Sequence, residues 1–276
     1  MNLLGIDFED WYHPELIQPH VTNIEKKPKV VKGIDKIIEW LRINETTATF
    51  FMVGELLEFQ PEILDKILDG GHEIAFHTMH HTRIDSDNFE EQFEKEIKIF
   101  KKLTSGKSKG FRAPSLSLNP KSSWVIDSLE RNDYEYDSSI IPAKTPLYGV
   151  PSAELKPYKI SKKSINKNDP NGKIIEFPLL TTKLLGWRIP AAGGFFLRTL
   201  PLRLIENAMK KYAKDKIDSV FYIHSWELTP EFMPRLPLPS FSKFVTYHNI
   251  EKAFPKMNKL IQKFEFTSFE KYLKSM

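Results

Sequence analysis

Short strand-like apolar runs alternate with stretches of helical period along most of this chain, and that alternation narrows the possible folds more than any other feature. Residues 47–53, Thr-Ala-Thr-Phe-Phe-Met-Val, form a nearly continuous apolar run, the pattern of a strand buried on both faces. Residues 2–7, 73–76, 110–112 and 219–223 read as further strands. Between them Val30, Val31, Ile34, Ile37, Ile38 and Leu41 recur at helical spacing, as do Leu56, Leu57, Ile63, Leu64, Ile67 and Leu68. Phe89, Phe93, Ile97, Phe100 and Leu103 mark another helix, ended near Gly106, and Asn119-Pro120 starts one carrying Trp124, Val125 and Leu129. This βαβα rhythm implies an α/β fold with a largely parallel sheet and crossover helices. Polar motifs follow the strands at their carboxyl ends, where α/β barrels keep their active sites.

The rhythm breaks over residues 141–200, a proline- and lysine-rich region with one good strand at 173–177. It reads as an insert near the barrel mouth, within a single domain spanning 1–276. The rhythm resumes with a helix over 201–212, the strand at 219–223, and a last helix holding Ile250, Phe254, Met257, Leu260 and Ile261.

Bulk properties exclude several classes. No apolar run reaches the roughly 18 residues that cross a bilayer, so no integral membrane segment is expected. The first residues lack the basic stretch of a signal peptide and meet Asp7 early. Without cysteine there are no disulfides and no thiolate ligands, which fits a cytoplasmic protein. The net charge is +4, with lysines clustered at 101–102, 107–109 and 156–167. These read as solvated surface or as attraction to anionic polymers or a membrane surface, hence peripheral attachment at a membrane as a further expectation. No nucleic-acid motif accompanies the charge, and oligomeric state is left open.

Chemistry concentrates at a few strand ends. Residues 76–81, Phe-His-Thr-Met-His-His, place three histidines within five positions. If the chain turns helically there, His77 and His81 share a face and can share an ion, with His80 pointing away. The first strand ends in Asp7-Phe8-Glu9-Asp10, which offers a carboxylate ligand, Asp10, beside a proton acceptor, Glu9, or else a helix-capping cluster. Asp10, His77 and His81 would make a two-histidine, one-carboxylate site suited to zinc and other first-row ions. Arg112, at another strand end, suits a charge partner for an active-site carboxylate or a surface ion pair. His224, ending the last clear strand, suits a general acid or a packed core histidine. In the insert, Trp187, Phe195 and Arg198 are candidate sugar contacts, with core packing the alternative for the rings.

In order along the chain, Glu9-Asp10, the run 48–54, His77-Thr78-Met79-His80-His81, Phe111-Arg112-Ala113-Pro114, Tyr136-Asp137-Ser138-Ser139 and His224 resemble the polysaccharide deacetylase superfamily of the NodB-homology type, carbohydrate esterase family 4. The similarity covers about residues 2–140 and 215–228. The segments 9–13, 193–198 and 224–227 are similar to a subgroup associated with exopolysaccharide gene clusters.

The resemblance implies a deformed, seven-stranded, TIM-barrel-like (β/α) barrel. It also implies metal-dependent removal of N-acetyl groups from amino sugars of a polymer or a lipid-linked oligosaccharide. Carried over by position, Asp10, His77 and His81 would hold a divalent ion (zinc first, with cobalt or nickel as alternatives), Glu9 would be the base, Arg112 its charge partner and His224 the acid. Asp137 would tether His224. The family's base is commonly an aspartate, so either the site fits the longer Glu9 or Asp7 shares the role. The rival readings are another C–N hydrolase of allantoinase type on the same scaffold and a non-catalytic glycan-binding barrel.

Overall fold

The computed structural model describes residues 1–276. Its strands are β1 (Asn2–Phe8), β2 (Thr49–Met52), β3 (Glu73–Phe76), β4 (Gly110–Phe111), β5 (Tyr136–Asp137), β6 (Tyr158–Ile160), β7 (Ile174–Glu176), β8 (Thr181–Leu184), β9 (Trp187–Pro190) and β10 (Ser219–His224). The main sheet runs β10-β1-β2-β3-β4-β5-β7-β6. The seven strands from β10 through β7 are parallel, and β6 is antiparallel on the outer edge of β7. A parallel bridge from Leu179 to Val220 joins the chain just past β7 back to β10. The sheet thereby curls into the seven-stranded deformed barrel that the sequence rhythm and resemblance lead one to expect. The strand at 173–177 is therefore a stave of the barrel rather than part of an excursion. The separate β8–β9 hairpin projects from the wall.

Strand and helix positions follow the apolar pattern closely, with local exceptions that have physical causes. The helical run from Leu56 to Leu68 is two helices, Gly54–Phe59 and Glu62–Asp69, instead of one. Gln60 precedes Pro61 and sits at φ −142, ψ 77, because the proline ring crowds the α-helical conformation of the residue before it. The barrel's amino-terminal end is closed by a short helix, Phe269–Leu273, which periodicity does not reveal. Phe269 stacks on Tyr136 at 5.1 Å and meets Phe51 and Phe177 edge-on. The opposite end, at the carboxyl termini of the strands, stays open.

Candidate active site

The side chains at that open end are set by the pleat of β1. Successive residues on a strand point to opposite faces, so Asp7 and Glu9 point into the barrel mouth while Phe8 and Asp10 point away from it. Asp10 is fully buried. Its carboxylate accepts from the backbone amides of Trp11, Lys29, Val30 and Val31 at 2.7–3.2 Å, and so caps the helical turn Val30–Gly33. The expectation that Asp10 joins the two histidines is overturned by this packing.

Glu9 takes the place beside the histidines. Glu9, His77 and His81 each present a ligand atom within 4.8 Å of the others, and all three are buried. Glu9 Oε2 lies 2.7 Å from His81 Nε2 and has no hydrogen-bond donor of its own. The other oxygen accepts from Trp226 Nε1 at 2.7 Å, and Ser225 holds the Glu9 backbone from both sides. The histidines do not meet on a helical face, as their spacing suggests. Residues 77–82 form a loop in which Thr78 and His81 adopt positive φ, 57° and 55°. The loop is pinned by Gly54 N to Thr78 O, Glu55 N to Met79 O and Met79 N to Glu96. His77 Nδ1 donates to the Arg112 carbonyl at 2.7 Å, which fixes its tautomer and leaves Nε2 with a free lone pair. His80 faces outward and pairs with Glu55 at 2.7 Å.

Arg112 is wholly buried inside the barrel. Nε and Nη2 donate to the Ser138 carbonyl and hydroxyl, and Nη1 reaches Asp7 Oδ1 at 2.6 Å. The guanidinium lies 3.9 Å above the Phe51 ring. Room for it comes from Gly5, where a Cβ would stand 2.6 Å from Nη1. Arg112 thus serves Asp7 instead of Glu9, the charge partner expected from the sequence.

His224 ends β10. Its Nδ1 is 2.7 Å from Glu227 Oε2, and its Nε2 faces Glu9 Oε1 at 3.8 Å. Glu227 forms a fully buried ion pair with Arg198 at 2.6 Å. Arg198 also donates to the carbonyls of Val245, Thr246 and His248. Glu227 is therefore the tether of His224. Asp137, expected in that role, accepts from Ser139 at 2.5 Å and lies level with Glu176 on the neighbouring strand. Sequence reading missed Glu227, although a carboxylate three residues after a strand-ending residue is the spacing of a capping box, which this turn forms.

A cleft of about 140 Å³ opens over these groups, lined among others by Asp7, Glu9, His81, Tyr148, Phe195 and His224. Arg198 also lines it but is only 2% exposed. Trp187, expected as a sugar contact, does not line it and is 79% exposed on the β8–β9 hairpin. Burial holds the His77 ring down, to about 4, so it is neutral as a metal ligand must be. Burial raises the Glu9 carboxyl, but the neighbouring His81, His224 and His77 outweigh it and hold it well below the usual carboxylate range. At His224 burial disfavours the charged ring, yet Glu227, Glu9 and Asp7 together override it and hold the ring up at about 9.

A family model described as polysaccharide deacetylase matches residues 23–134, and one described as a domain of unknown function, DUF3473, matches residues 138–274. Over residues 23–134 the chain belongs to the polysaccharide deacetylase family. Among the superfamily's curated proteins it is 32% identical over 120 residues to a peptidoglycan deacetylase-like protein, FGM2, of Gibberella zeae, covering 42% of this chain and 34% of that protein. It is 33% identical over 82 residues to a peptidoglycan-N-acetylglucosamine deacetylase of Bacillus cereus, covering 29% of this chain and 30% of that one. The matches thus span about a third of these relatives' length. A crystal structure of a provisionally assigned polysaccharide deacetylase from Mycobacterium smegmatis superposes over 99% of this chain and 90% of its own, with a TM-score of 0.61 at 14% identity. That likeness is one of fold. The donor set fits a divalent ion on this chain's own geometry: two imidazoles and a buried carboxylate oxygen that no donor satisfies.

Proposed function

We propose that this protein is a metal-dependent N-deacetylase acting on an amino sugar of a polysaccharide or its lipid-linked precursor. The observation that carries the reading is the buried, donorless Glu9 Oε2 facing His77 and His81 at the open end of the barrel. These three residues would hold the ion, with zinc the first candidate, and a bound ion there would supply Lewis acidity toward a carbonyl oxygen and toward water.

The remaining groups divide the proton transfers. Arg112 grips one oxygen of Asp7 and leaves the other for the cleft, so Asp7, not Glu9, is positioned as the base that removes a proton from water. His224, held protonated at neutral pH and oriented by Glu227, donates to the departing amine nitrogen, which would otherwise leave as an unstable anion. A backbone amide after β4 is needed for the developing oxyanion. Ala113's amide is taken by Ser139 Oγ, whereas Ser115, at φ 53°, lines the cleft and its amide makes no backbone hydrogen bond. Tyr148 and Phe195 offer ring faces to a sugar. The similarity of segments 9–13, 193–198 and 224–227 to exopolysaccharide-associated members supports an exopolysaccharide as the polymer.

The test is acetate release from N-acetylated oligosaccharides by the zinc-loaded protein, with metal content measured in parallel. Metal retained by Glu9→Ala at wild-type stoichiometry would overturn the ligand set. A zinc-loaded wild type that releases no acetate from amino-sugar polymers or lipid-linked oligosaccharides would overturn the reaction.

A further inference from the structure

The β8–β9 hairpin takes no part in the site and is built unlike the rest of the surface. Its register pairs Leu184 with Trp187, so the turn is the two residues Leu185 and Gly186, both at positive φ, 50° and 84°. Such a turn is normally filled by Asn-Gly, because glycine has no Cβ and asparagine's short polar side chain can hydrogen-bond locally in the left-handed conformation. Here a leucine occupies it, 91% exposed, against its backbone preference. Trp187 beside it is 79% exposed and Leu184 is 44% exposed. Three large apolar side chains at one tip, one of them in an unfavourable backbone position, are not explained by packing in this chain.

Cations flank the tip. Lys183 and Arg188 stand opposite each other one pair below it. With Lys211 of the helix Leu202–Lys214 they line a groove alongside the hairpin, and no acid lines that groove. Lys211 is paired with Asp215, while Arg188 reaches only the carbonyls of Pro142 and Pro151 at 3.4 Å. Leucine and tryptophan at the end, with lysine and arginine just behind, is the arrangement by which a protein seats an apolar wedge among lipid chains and its cations among anionic headgroups. Three side chains are far fewer than the 20–30 residues a side that stable protein interfaces use, so a second copy is a poor occupant.

We propose that the β8–β9 hairpin docks this protein peripherally on an anionic lipid bilayer, through Leu184, Leu185 and Trp187 inserted and Lys183 and Arg188 at the headgroups. The proposal stands whether or not the chain is a deacetylase.

The full chain should cosediment with vesicles of phosphatidylcholine mixed with phosphatidylglycerol, and much less with phosphatidylcholine alone. Leu185→Asn combined with Trp187→Ser should weaken binding at least tenfold with an unchanged or raised melting temperature, since asparagine suits the turn. Lys183→Gln and Arg188→Gln should each weaken it about 5-fold at low salt. Wild-type protein that stays in the supernatant with both vesicles would overturn the proposal. So would a double variant that binds like wild type, or a lipid-free dimer that the double variant dissolves.

Discussion

Two glutamates lie buried at opposite ends of the same barrel, and they are treated in opposite ways. At the closed end Glu73 is saturated: Thr49 Oγ1, Tyr136 Oη and the Glu270 amide all donate to it. At the open end Glu9 has one oxygen fixed by Trp226 and the other left with no donor, directed at two imidazoles. A buried polar atom without a partner costs stability. Only the second glutamate is therefore in a state that a bound ion would relieve. The contrast separates a carboxylate that holds the fold together from one that the fold holds ready for a ligand.

The largest effects should come from breaking the open end. Glu9→Ala or His77→Ala should remove the metal and lower deacetylation by about 10³-fold or more, as measured by elemental analysis and acetate release. Glu73→Ala should leave metal content unchanged and cost about 1–3 kcal/mol of stability by stranding its three donors, as measured by urea unfolding. If Glu73→Ala lost the metal instead, the two ends would not be independent. Next in size, Asp7→Asn should keep the metal and lower kcat by about 10²–10⁴-fold. Asp10→Asn should act only on stability, about 1 kcal/mol, through the cap it provides.

Smaller, but more diagnostic, is Glu227→Gln. The His224 ring is held near 9 against burial mainly by Glu227. A general acid works only while protonated, so activity should fall as pH rises through that value. The variant should lose activity at lower pH, its alkaline limb moving toward the 6.5 of an ordinary imidazole, while Asp137→Asn should leave the limb in place. A pH–rate profile that does not move in Glu227→Gln would remove Glu227 as the tether.

The barrel was legible in the chain because buried parallel strands must be apolar on both faces and their crossover helices on one, and both patterns survive in a single sequence. The residues gathered at the open end were legible as a set, but the sequence reading paired Asp10, where the fold pairs Glu9, with the two histidines. Glu9 and Asp10 are adjacent, yet the two-residue period of a strand puts Asp7 and Glu9 on one face and sends Asp10 to a backbone cap. Applied to Asp7-Phe8-Glu9-Asp10, that period alone would have pointed to Asp7 and Glu9, the pair that lines the cleft. The loop at 77–82 defeats pattern reading for a different reason: its positive-φ residues are held by contacts from Gly54, Glu55 and Glu96, which are distant in sequence. The plug helix Phe269–Leu273 is too short for periodicity, and its place is fixed by the Phe269 ring among Tyr136, Phe51 and Phe177 and by the Phe269 and Glu270 amides on Thr49 and Glu73.

The last difference between the two ends concerns protons. Burial raises the Glu73 carboxyl to about 7, against the hydrogen bonds that favour its charged form. In the unfolded chain the same group titrates near its ordinary 4.5. The folded state thus binds the extra proton between these values, and its stability falls as pH rises from 4.5 toward 7. The contribution is fully present below 4.5, is lost through 7, and changes no further above it. Its size is on the order of 3 kcal/mol. Glu73→Gln carries no titrating group, so its stability relative to wild type should improve by that amount between pH 4.5 and 7.5. The Asp137 and Glu176 carboxyls, side by side on adjacent strands and also raised by burial, act in the same direction but are common to both proteins and cancel in the difference. Urea unfolding of both proteins at the two pH values measures it directly. A wild type whose stability tracks that of Glu73→Gln across this range would show that Glu73 is not held protonated, and the distinction between a closed end that retains its proton and an open end that gives its proton up would fail.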